Sequence, residues 1–194
     1  LRELKFALEK YFRNEITATE LQTTAKELRA IHWQSQKEAG VDFIPSNDFS
    51  FYDIVLDSAF LFNIVPKRYK KLNLSELDTY IAMARGYQGA GGDVKALAMK
   101  KWFNTNYHYI VPEIEDDTEI KLTGDKLIRE YKEAKERGIE TKPIITGAYT
   151  LLKLCRYTGQ KTADDFVDVF AAAYKELLTK CEGENVKWIQ FDEP

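Results

Sequence analysis

Short apolar runs alternate with segments of helical periodicity along this chain of 194 residues, and this alternation limits its fold more than any other feature. The runs contain consecutive apolar residues, whereas a strand with one solvent-exposed face would alternate apolar and polar residues. Strands that are buried on both faces and separated by helices form parallel sheets. We therefore predict an α/β fold whose parallel strands are neighbours in chain order and are covered by outer helices. The predicted strands are 41–46, 104–111, 143–147 and 186–191.

Capping signals predict where the helices begin. A hydroxyl side chain followed three residues later by a carboxylate forms a capping box, and Thr17 with Glu20 and Thr162 with Asp165 fit this pattern. The glycine-rich segment 86–93 lacks the Gly-Lys-Ser/Thr ending of a phosphate-binding loop, so we predict a flexible connection there. The predicted helices cover about 4–12, 17–39, 52–65, 75–86, 125–137 and 162–179.

The composition is that of one globular domain. Apolar residues make up 44% of the chain and the net charge is −3, without a concentrated basic face to neutralise phosphates. No apolar stretch approaches the roughly 18 residues that a membrane span needs. We therefore expect neither nucleic acid nor a membrane as a partner.

Cys155 and Cys181 are too few and too far apart for a disulfide framework, which favours a reduced, cytoplasmic protein. The chain begins at Leu1 and not at Met, so we expect a piece of a longer protein.

Polar residues cluster where the predicted strands end. They are Asn47 and Asp48, Asn104 to His108, Thr146 and Gly147, and Asp192 and Glu193. In an α/β barrel the carboxyl ends of the strands build the binding face, which favours a site at this edge. The alternative is that loops begin at these positions and are polar for that reason alone.

The run 101–112 is the strongest single indication of a binding site. It reads Lys-Trp-Phe-Asn-Thr-Asn-Tyr-His-Tyr-Ile-Val-Pro. A solvated loop rarely contains so many large aromatic residues, and a purely structural strand rarely contains two Asn, a Thr and a His. The run is typical of a strand that enters a site and places polar groups along its rim.

Several long motifs, rich in Trp, Tyr, Asn and His, match one family over essentially the whole chain. They are Arg2-Glu3-Leu4-Lys5, Glu27 to Ala30 with Trp33, Ile44 to Asp53, Ala84 to Gly86, Lys101 to Pro112, and Trp188 to Pro194. With these motifs the chain resembles the N-terminal domain of the cobalamin-independent methionine synthases, the 5-methyltetrahydropteroyltriglutamate–homocysteine methyltransferase family. The resemblance implies two (β/α)8 barrels face to face, with residues 1–194 forming a partial (β/α)8 TIM-type barrel on the folate side.

The same resemblance implies the chemistry of the parent protein. A methyl group would pass from 5-methyltetrahydrofolate polyglutamate to homocysteine, giving methionine. Zinc and the catalytic groups would lie in a C-terminal barrel that these residues do not include. No catalytic residue is implied in this fragment, whose cations would meet the carboxylates of the folate tail. The residues implied to bind substrate are Arg2, Glu3, Leu4, Lys5, Lys101 and Asn106. Without the resemblance, Arg2 and Lys5 are typical of the solvated side of a first helix.

We predict no metal and no cofactor in these residues. Zinc needs four convergent ligands, whereas His32, His108, Cys155 and Cys181 lie in different predicted elements, with Cys155 near the start of a Leu-rich helix. Both histidines are expected to be hydrogen-bonded aromatic-type residues, with His108 at the rim of the site.

The chain departs from the family pattern at Ala148, where the family usually has Pro, and it lacks the family's first strand. The alternative function is a non-catalytic binding or interaction module built on the same half-barrel. Because a barrel removes strand edges by closing on itself, we expect the chain alone to expose edges near Val41 and Trp188 and either to self-associate or to be only marginally stable outside a larger assembly.

Overall fold

The chain forms eight α-helices and nine short β-strands in the computed structural model, which describes residues 2–194. The helices are α1 (Arg2–Phe12), α2 (Ala18–Glu38), α3 (Ile54–Leu61), α4 (Lys67–Lys70), α5 (Glu76–Arg85), α6 (Lys126–Lys135), α7 (Ala148–Leu154) and α8 (Val167–Gly183). The strands are β1 (Ile44–Ser46), β2 (Tyr87–Gly89), β3 (Gly92–Val94), β4 (Met99–Lys101), β5 (His108–Ile110), β6 (Glu113–Ile114), β7 (Thr141–Thr146), β8 (Arg156–Tyr157) and β9 (Gln190–Asp192). No helix in the described range is long and apolar enough to cross a membrane.

Three strands form a parallel sheet in the order β1, β7, β9. Ile44 pairs with Thr141, and Ile145 pairs with Phe191. This arrangement confirms the predicted α/β class and the parallel strands at 41–46 and 143–147. It also confirms the strand predicted at 186–191, although the paired residues lie at the end of that range and just beyond it.

The sheet has two free edges, at β1 and β9. The strands within residues 2–194 do not close into a barrel. Phe43, just before β1, and Trp188, just before β9, are both more than half exposed and pack edge to face with ring centroids 5.7 Å apart. The predicted self-association through these edges stays a prediction.

The strand predicted at 104–111 does not join the parallel sheet, and its predicted place between β1 and β7 was wrong. Residues 99–110 form an antiparallel hairpin of β4 and β5, in which Lys101 pairs with His108. The turn is closed by hydrogen bonds from the Trp102 amide to the Tyr107 carbonyl and from the Thr105 amide to the Trp102 carbonyl. Phe103 takes the left-handed backbone conformation that this tight reversal requires, with φ of 49°. The polar residues predicted to line a strand are therefore the turn of a hairpin.

Segment 86–93 lies in a second hairpin, of β2 and β3, where a flexible connection was predicted. Gly86 makes this possible because its φ is +81° and a Cβ atom would lie 2.9 Å from the Val94 carbonyl oxygen. Only glycine accepts both the conformation and the close approach of the two strands.

Helix boundaries follow the capping signals. Both capping boxes are present, at Thr17 with Glu20 and at Thr162 with Asp165, although the second opens a short 3₁₀ turn at 163–166 that leads into α8. Ser75 caps α5 by accepting a hydrogen bond from a backbone amide in its first turn. These local patterns account for the agreement between predicted and observed helices.

The helix predicted at 52–65 is shorter, because Asp53 caps its start and the chain leaves helical geometry at Phe62. Phe62 is fully buried and stacks on Tyr174 of α8, with ring centroids 4.5 Å apart. Burying an aromatic side chain of this kind contributes roughly 1.5–3 kcal/mol. The main core lies between α3, α7, α8 and β7, and a second core joins α3 to α4 and α5. Helix α3 thus connects the sheet to the segment that carries the two hairpins.

Candidate functional site

The predicted binding residues of the first motif lie on α1. Arg2, Glu3 and Lys5 are exposed, whereas Leu4 is buried against Ala25 of α2 and Phe49. Lys5 Nζ lies 3.9 Å from Glu9 Oε1, and the Lys5 side chain is 72% exposed, so this contact leaves the ammonium group available to a ligand. Leu4 anchors the helix while its polar neighbours face solvent.

Lys101 and Asn106 lie on the β4–β5 hairpin, Lys101 at the end of β4 and Asn106 in the turn. Both side chains are exposed. Trp102 holds this end of the hairpin in place by packing edge to face against Phe103 and Tyr109, at centroid distances of 4.9 and 6.2 Å. The hairpin therefore presents a cation and an amide to solvent on an aromatic base.

The structure leaves the α1 residues and the hairpin residues as two separate groups. No hydrogen bond or ion pair within residues 2–194 joins α1 to β4 or β5. Helix α1 is attached to α5, through the Tyr11 hydroxyl that donates to Asp78 and through Arg85, which lies over the Phe12 ring. A ligand that used both groups would have to bridge them.

The polar ends of the three parallel strands lie together, as predicted, but they mainly satisfy backbone groups. The Asn47 amide donates to the Ile144 carbonyl at 2.8 Å. The Glu193 carboxylate accepts from the Tyr149 and Thr150 amides, and so caps the start of α7. The fourth predicted group, 104–108, lies in the hairpin and is not part of this edge, so the prediction of four converging strand ends was wrong for it. The edge is largely a structural feature.

A buried charge network that the sequence analysis missed lies beside this edge. Lys126 Nζ, at the start of α6, lies 3.2 Å from Asp57 Oδ2 and 3.2 Å from Glu130 Oε1, and it donates to Asn47 Oδ1 at 2.9 Å. Asp57 also accepts from the Tyr80 hydroxyl at 2.6 Å. The network therefore links α3, α5, α6 and the end of β1.

Arg29 of α2 extends the same network. Its guanidinium group lies 2.8 Å from Glu133 and 3.7 Å from Glu130. Both carboxylates are more than nine-tenths buried, and Glu130 Oε2, Glu133 Oε1 and Arg29 Nε have no hydrogen-bond partner among residues 2–194. These side chains line a cleft of about 640 Å³ between α2, α5 and α6.

The network contains three carboxylates and two cations, and the pKa directions follow from this balance. Burial raises the pKa of Glu130, and the attraction of Lys126 and Arg29 only partly opposes it. Burial alone would lower the pKa of Lys126, but Asp57 and Glu130 outweigh it and raise the pKa. Lys126 therefore stays charged, and Glu130 takes up a proton more readily than an exposed glutamate.

Two sequence signals could have revealed this network. Lys126 and Glu130 are spaced i, i+4 on a predicted helix, the spacing that pairs opposite charges. Asp57 is the one charged residue of α3, whose other residues are apolar apart from Ser58, and an unpaired carboxylate would be costly there. Ser50, seven positions away, also donates to Asp57, but the partners Tyr80 and Lys126 lie much farther away in sequence and could not be read from either pattern.

Asp53 is a second missed residue. Its Oδ1 accepts hydrogen bonds from the amides of Val55 and Leu56, and its Oδ2 accepts from the amide of Ile110, each at 2.9 Å. Burial raises the pKa of Asp53 to about 6, and the Asp57 carboxylate adds to this effect, while the three amides oppose it. Asp53 thus connects the start of α3 to strand β5.

The histidines and cysteines do not converge. Within residues 2–194 no group of three or more His, Cys, Asp and Glu side chains is placed to hold a metal ion. Cys155 ends α7, so its predicted position near a helix start was wrong, and burial raises the pKa of its thiol. Burial likewise raises the pKa of Cys181 to about 11. His108 Nδ1 lies 3.1 Å from the Asn106 carbonyl oxygen at the surface of the hairpin. The absence of a metal from this chain stays a prediction.

Comparison with known proteins gives one consistent result. Residues 1–194 match the family described as "Cobalamin-independent synthase, N-terminal domain". The chain is 57% identical over 193 residues to a protein of Streptococcus thermophilus and 58% identical over 193 residues to one of Campylobacter jejuni subsp. doylei. A protein of Streptococcus pneumoniae is 56% identical over 192 residues. All three relatives are named 5-methyltetrahydropteroyltriglutamate–homocysteine methyltransferase. These alignments cover 99–100% of this chain, which spans about a quarter, 26%, of each relative.

Proposed function

Because this chain belongs to the family of the N-terminal domain of cobalamin-independent synthases, we propose that it is the folate-side domain of a methyltransferase that makes methionine. The methyl group would move from 5-methyltetrahydrofolate polyglutamate to homocysteine. The observation that carries this proposal is the identity of 57% to a named methyltransferase across the whole chain. A cytoplasmic location fits this biosynthetic role.

The proposed domain organisation adds a second, catalytic barrel to the same protein. Residues 1–194 would form part of the N-terminal barrel, with β1, β7 and β9 as three of its parallel strands. The free edges of β1 and β9 support this proposal, because further strands could continue the sheet on both sides. The C-terminal barrel would hold zinc, which would supply homocysteine as a thiolate at neutral pH. The methyl group would pass to the sulfur as its bond to the folate nitrogen breaks, and that nitrogen would take up a proton.

The proposed role of this chain is to hold the polyglutamate tail. The tail carries a series of carboxylates, and the exposed cations Lys5 and Lys101 have no close, buried partner within residues 2–194. Arg2 adds a further cation on α1, and the Asn106 amide can donate to a carboxylate or to the folate itself. Glu3 and Leu4 belong to the same motif, in which Leu4 fixes the helix to the rest of the domain.

A kinetic comparison in the full-length protein tests this role. Lys101→Ala should raise KM for the triglutamyl folate several-fold and change KM for the monoglutamyl folate less, because only the longer tail brings additional carboxylates to the hairpin. Lys100→Ala is the matched control, since consecutive residues of β4 point to opposite faces of the strand. An equal change of KM for the two folates in the Lys101→Ala protein would contradict the proposal.

A further inference from the structure

One carboxylate connects the helix scaffold to the hairpin that carries Lys101 and Asn106. Asp53 Oδ1 receives the first free amides of α3, those of Val55 and Leu56, while Oδ2 receives the amide of Ile110 in β5. A capping residue needs only one oxygen for its helix. The second oxygen of Asp53 is therefore available for a separate structural task.

The geometry of the hairpin explains why Ile110 needs this partner. Two other amides of this hairpin form hydrogen bonds between its two sides. The Val111 amide donates to the Ala98 carbonyl, and the Trp102 amide donates to the Tyr107 carbonyl. In an antiparallel pair, successive residues of a strand direct their amides alternately toward the partner strand and away from it. Because the Val111 amide points toward the β4 side, the Ile110 amide points away from it. Ile110 is buried, with 4% of its surface exposed, and its amide would lack a partner without the Asp53 carboxylate.

The hairpin has few other polar attachments to the domain. Strands β4 and β5 pair only with each other among residues 2–194, and all three residues of β4 are exposed. The Tyr109 hydroxyl is 3.5 Å from the Leu154 carbonyl oxygen, at the limit of a hydrogen bond. The buried side chains of Tyr109 and Ile110 hold the base of the hairpin, and Asp53 fixes its backbone.

We infer that Asp53 is a positioning residue, which holds the hairpin so that Lys101 and Asn106 meet the polyglutamate tail of the folate. This inference rests on the proposed function. Asp53 touches neither the substrate nor the reacting atoms. Its contribution is preorganisation, because a cation on a fixed hairpin binds a carboxylate without first losing the freedom of a mobile one.

Asp53→Asn separates the two tasks of this side chain. The Asn oxygen can still accept from Val55 and Leu56, since Asn is as good an N-cap as Asp. The amide nitrogen then faces the Ile110 amide, and two donors cannot bond. In the full-length protein we expect lower hydrogen-exchange protection of the amides of residues 108–110. We also expect KM for the triglutamyl folate to rise roughly threefold to tenfold, with kcat and the KM for homocysteine changed less than twofold.

Two further variants make the test decisive. Ser75→Ala removes the N-cap of α5 and should lower stability without changing hairpin exchange or KM. Asp53→Ser also caps the helix, but its single, shorter oxygen cannot reach Ile110, so it should repeat the Asp53→Asn result. If Asp53→Asn and Asp53→Ser change KM and hairpin exchange no more than Ser75→Ala does, the residue is only a cap and the inference is overturned.

The Lys101→Ala protein distinguishes failure of the inference from failure of the proposed function. If Lys101→Ala raises KM for the triglutamyl folate and Asp53→Asn does not, the proposed function stands and the positioning role is wrong. If Asp53→Asn loosens the hairpin and raises KM while Lys101→Ala has no effect, the positioning role stands and the assignment of Lys101 to the tail is wrong.

Discussion

The cations of this domain occur in two environments. Lys126 and Arg29 are largely buried and are surrounded by the carboxylates of Asp57, Glu130 and Glu133. Lys5 and Lys101 are exposed, and within the described part of the chain Lys5 has only a long ion-pair contact, to Glu9. The comparison teaches that charge alone does not mark a binding residue. A buried cation whose partners are internal holds the fold, whereas an exposed cation without a strong partner can accept an external carboxylate.

The largest expected effect is on the buried side of this comparison. Lys126→Met removes the cation that Asp57 and Glu130 share. Because both carboxylates would then stay buried with less compensation, we expect the free energy of unfolding to fall by about 3–5 kcal/mol. Urea unfolding of the full-length protein measures the change.

Lys132→Met on the same helix is the matched control. Lys132 pairs with Glu184 at 2.7 Å, but its side chain is about half exposed, so the expected loss is only about 0.2–1 kcal/mol. Equal losses for the two variants would remove the distinction between buried and exposed cations on which the account depends.

A smaller effect is expected from the pH dependence of Asp53. Its pKa in the folded protein, about 6, lies above the ordinary value of 3.8, mainly because of burial. The folded protein therefore binds this proton more tightly than the unfolded chain does. The stability that results is complete below about pH 4 and is lost as the pH rises through about 6.

Comparison with Asp53→Asn isolates this titration, since the other carboxylates titrate in both proteins. We expect the free energy of unfolding of the unmodified protein, relative to the variant, to fall by about 2 kcal/mol between pH 4 and pH 7. Asp57 on the same helix, Tyr80 of α5 and Tyr109 of β5 face this carboxylate. The pKa values of both tyrosines are raised, so the phenols stay neutral over this range. A difference that is independent of pH would show that Asp53 is ionised throughout.

Features with a local sequence signal could be predicted, and features that depend on distant partners could not. The capping boxes and the parallel apolar strands follow from patterns within a few residues. The β4–β5 hairpin was missed because its turn places an aromatic residue, Phe103, at positive φ and carries none of the usual glycine signals.

The buried network was missed for a related reason. The residues of the pair Arg29–Glu133 are 104 positions apart, and sequence alone does not indicate which distant charges meet. Lys101 and Asn106 lie in the run 101–112, whose residue types themselves indicated a binding site. Arg2 to Lys5 were identified only through the resemblance to the family, because an exposed lysine has no physical signature of its own in a sequence.

The most direct test of the account is the binding of triglutamyl and monoglutamyl folate to the full-length Lys5→Ala/Lys101→Ala protein, measured by calorimetric titration. We expect the preference for the triglutamyl folate to fall roughly 1.5- to 5-fold for each cation removed, and the effect to shrink as salt is raised. The free energy of unfolding should stay unchanged, because neither lysine belongs to the buried network. A preference for the triglutamyl folate equal to that of the unmodified protein would contradict the claim that these exposed cations hold the polyglutamate tail.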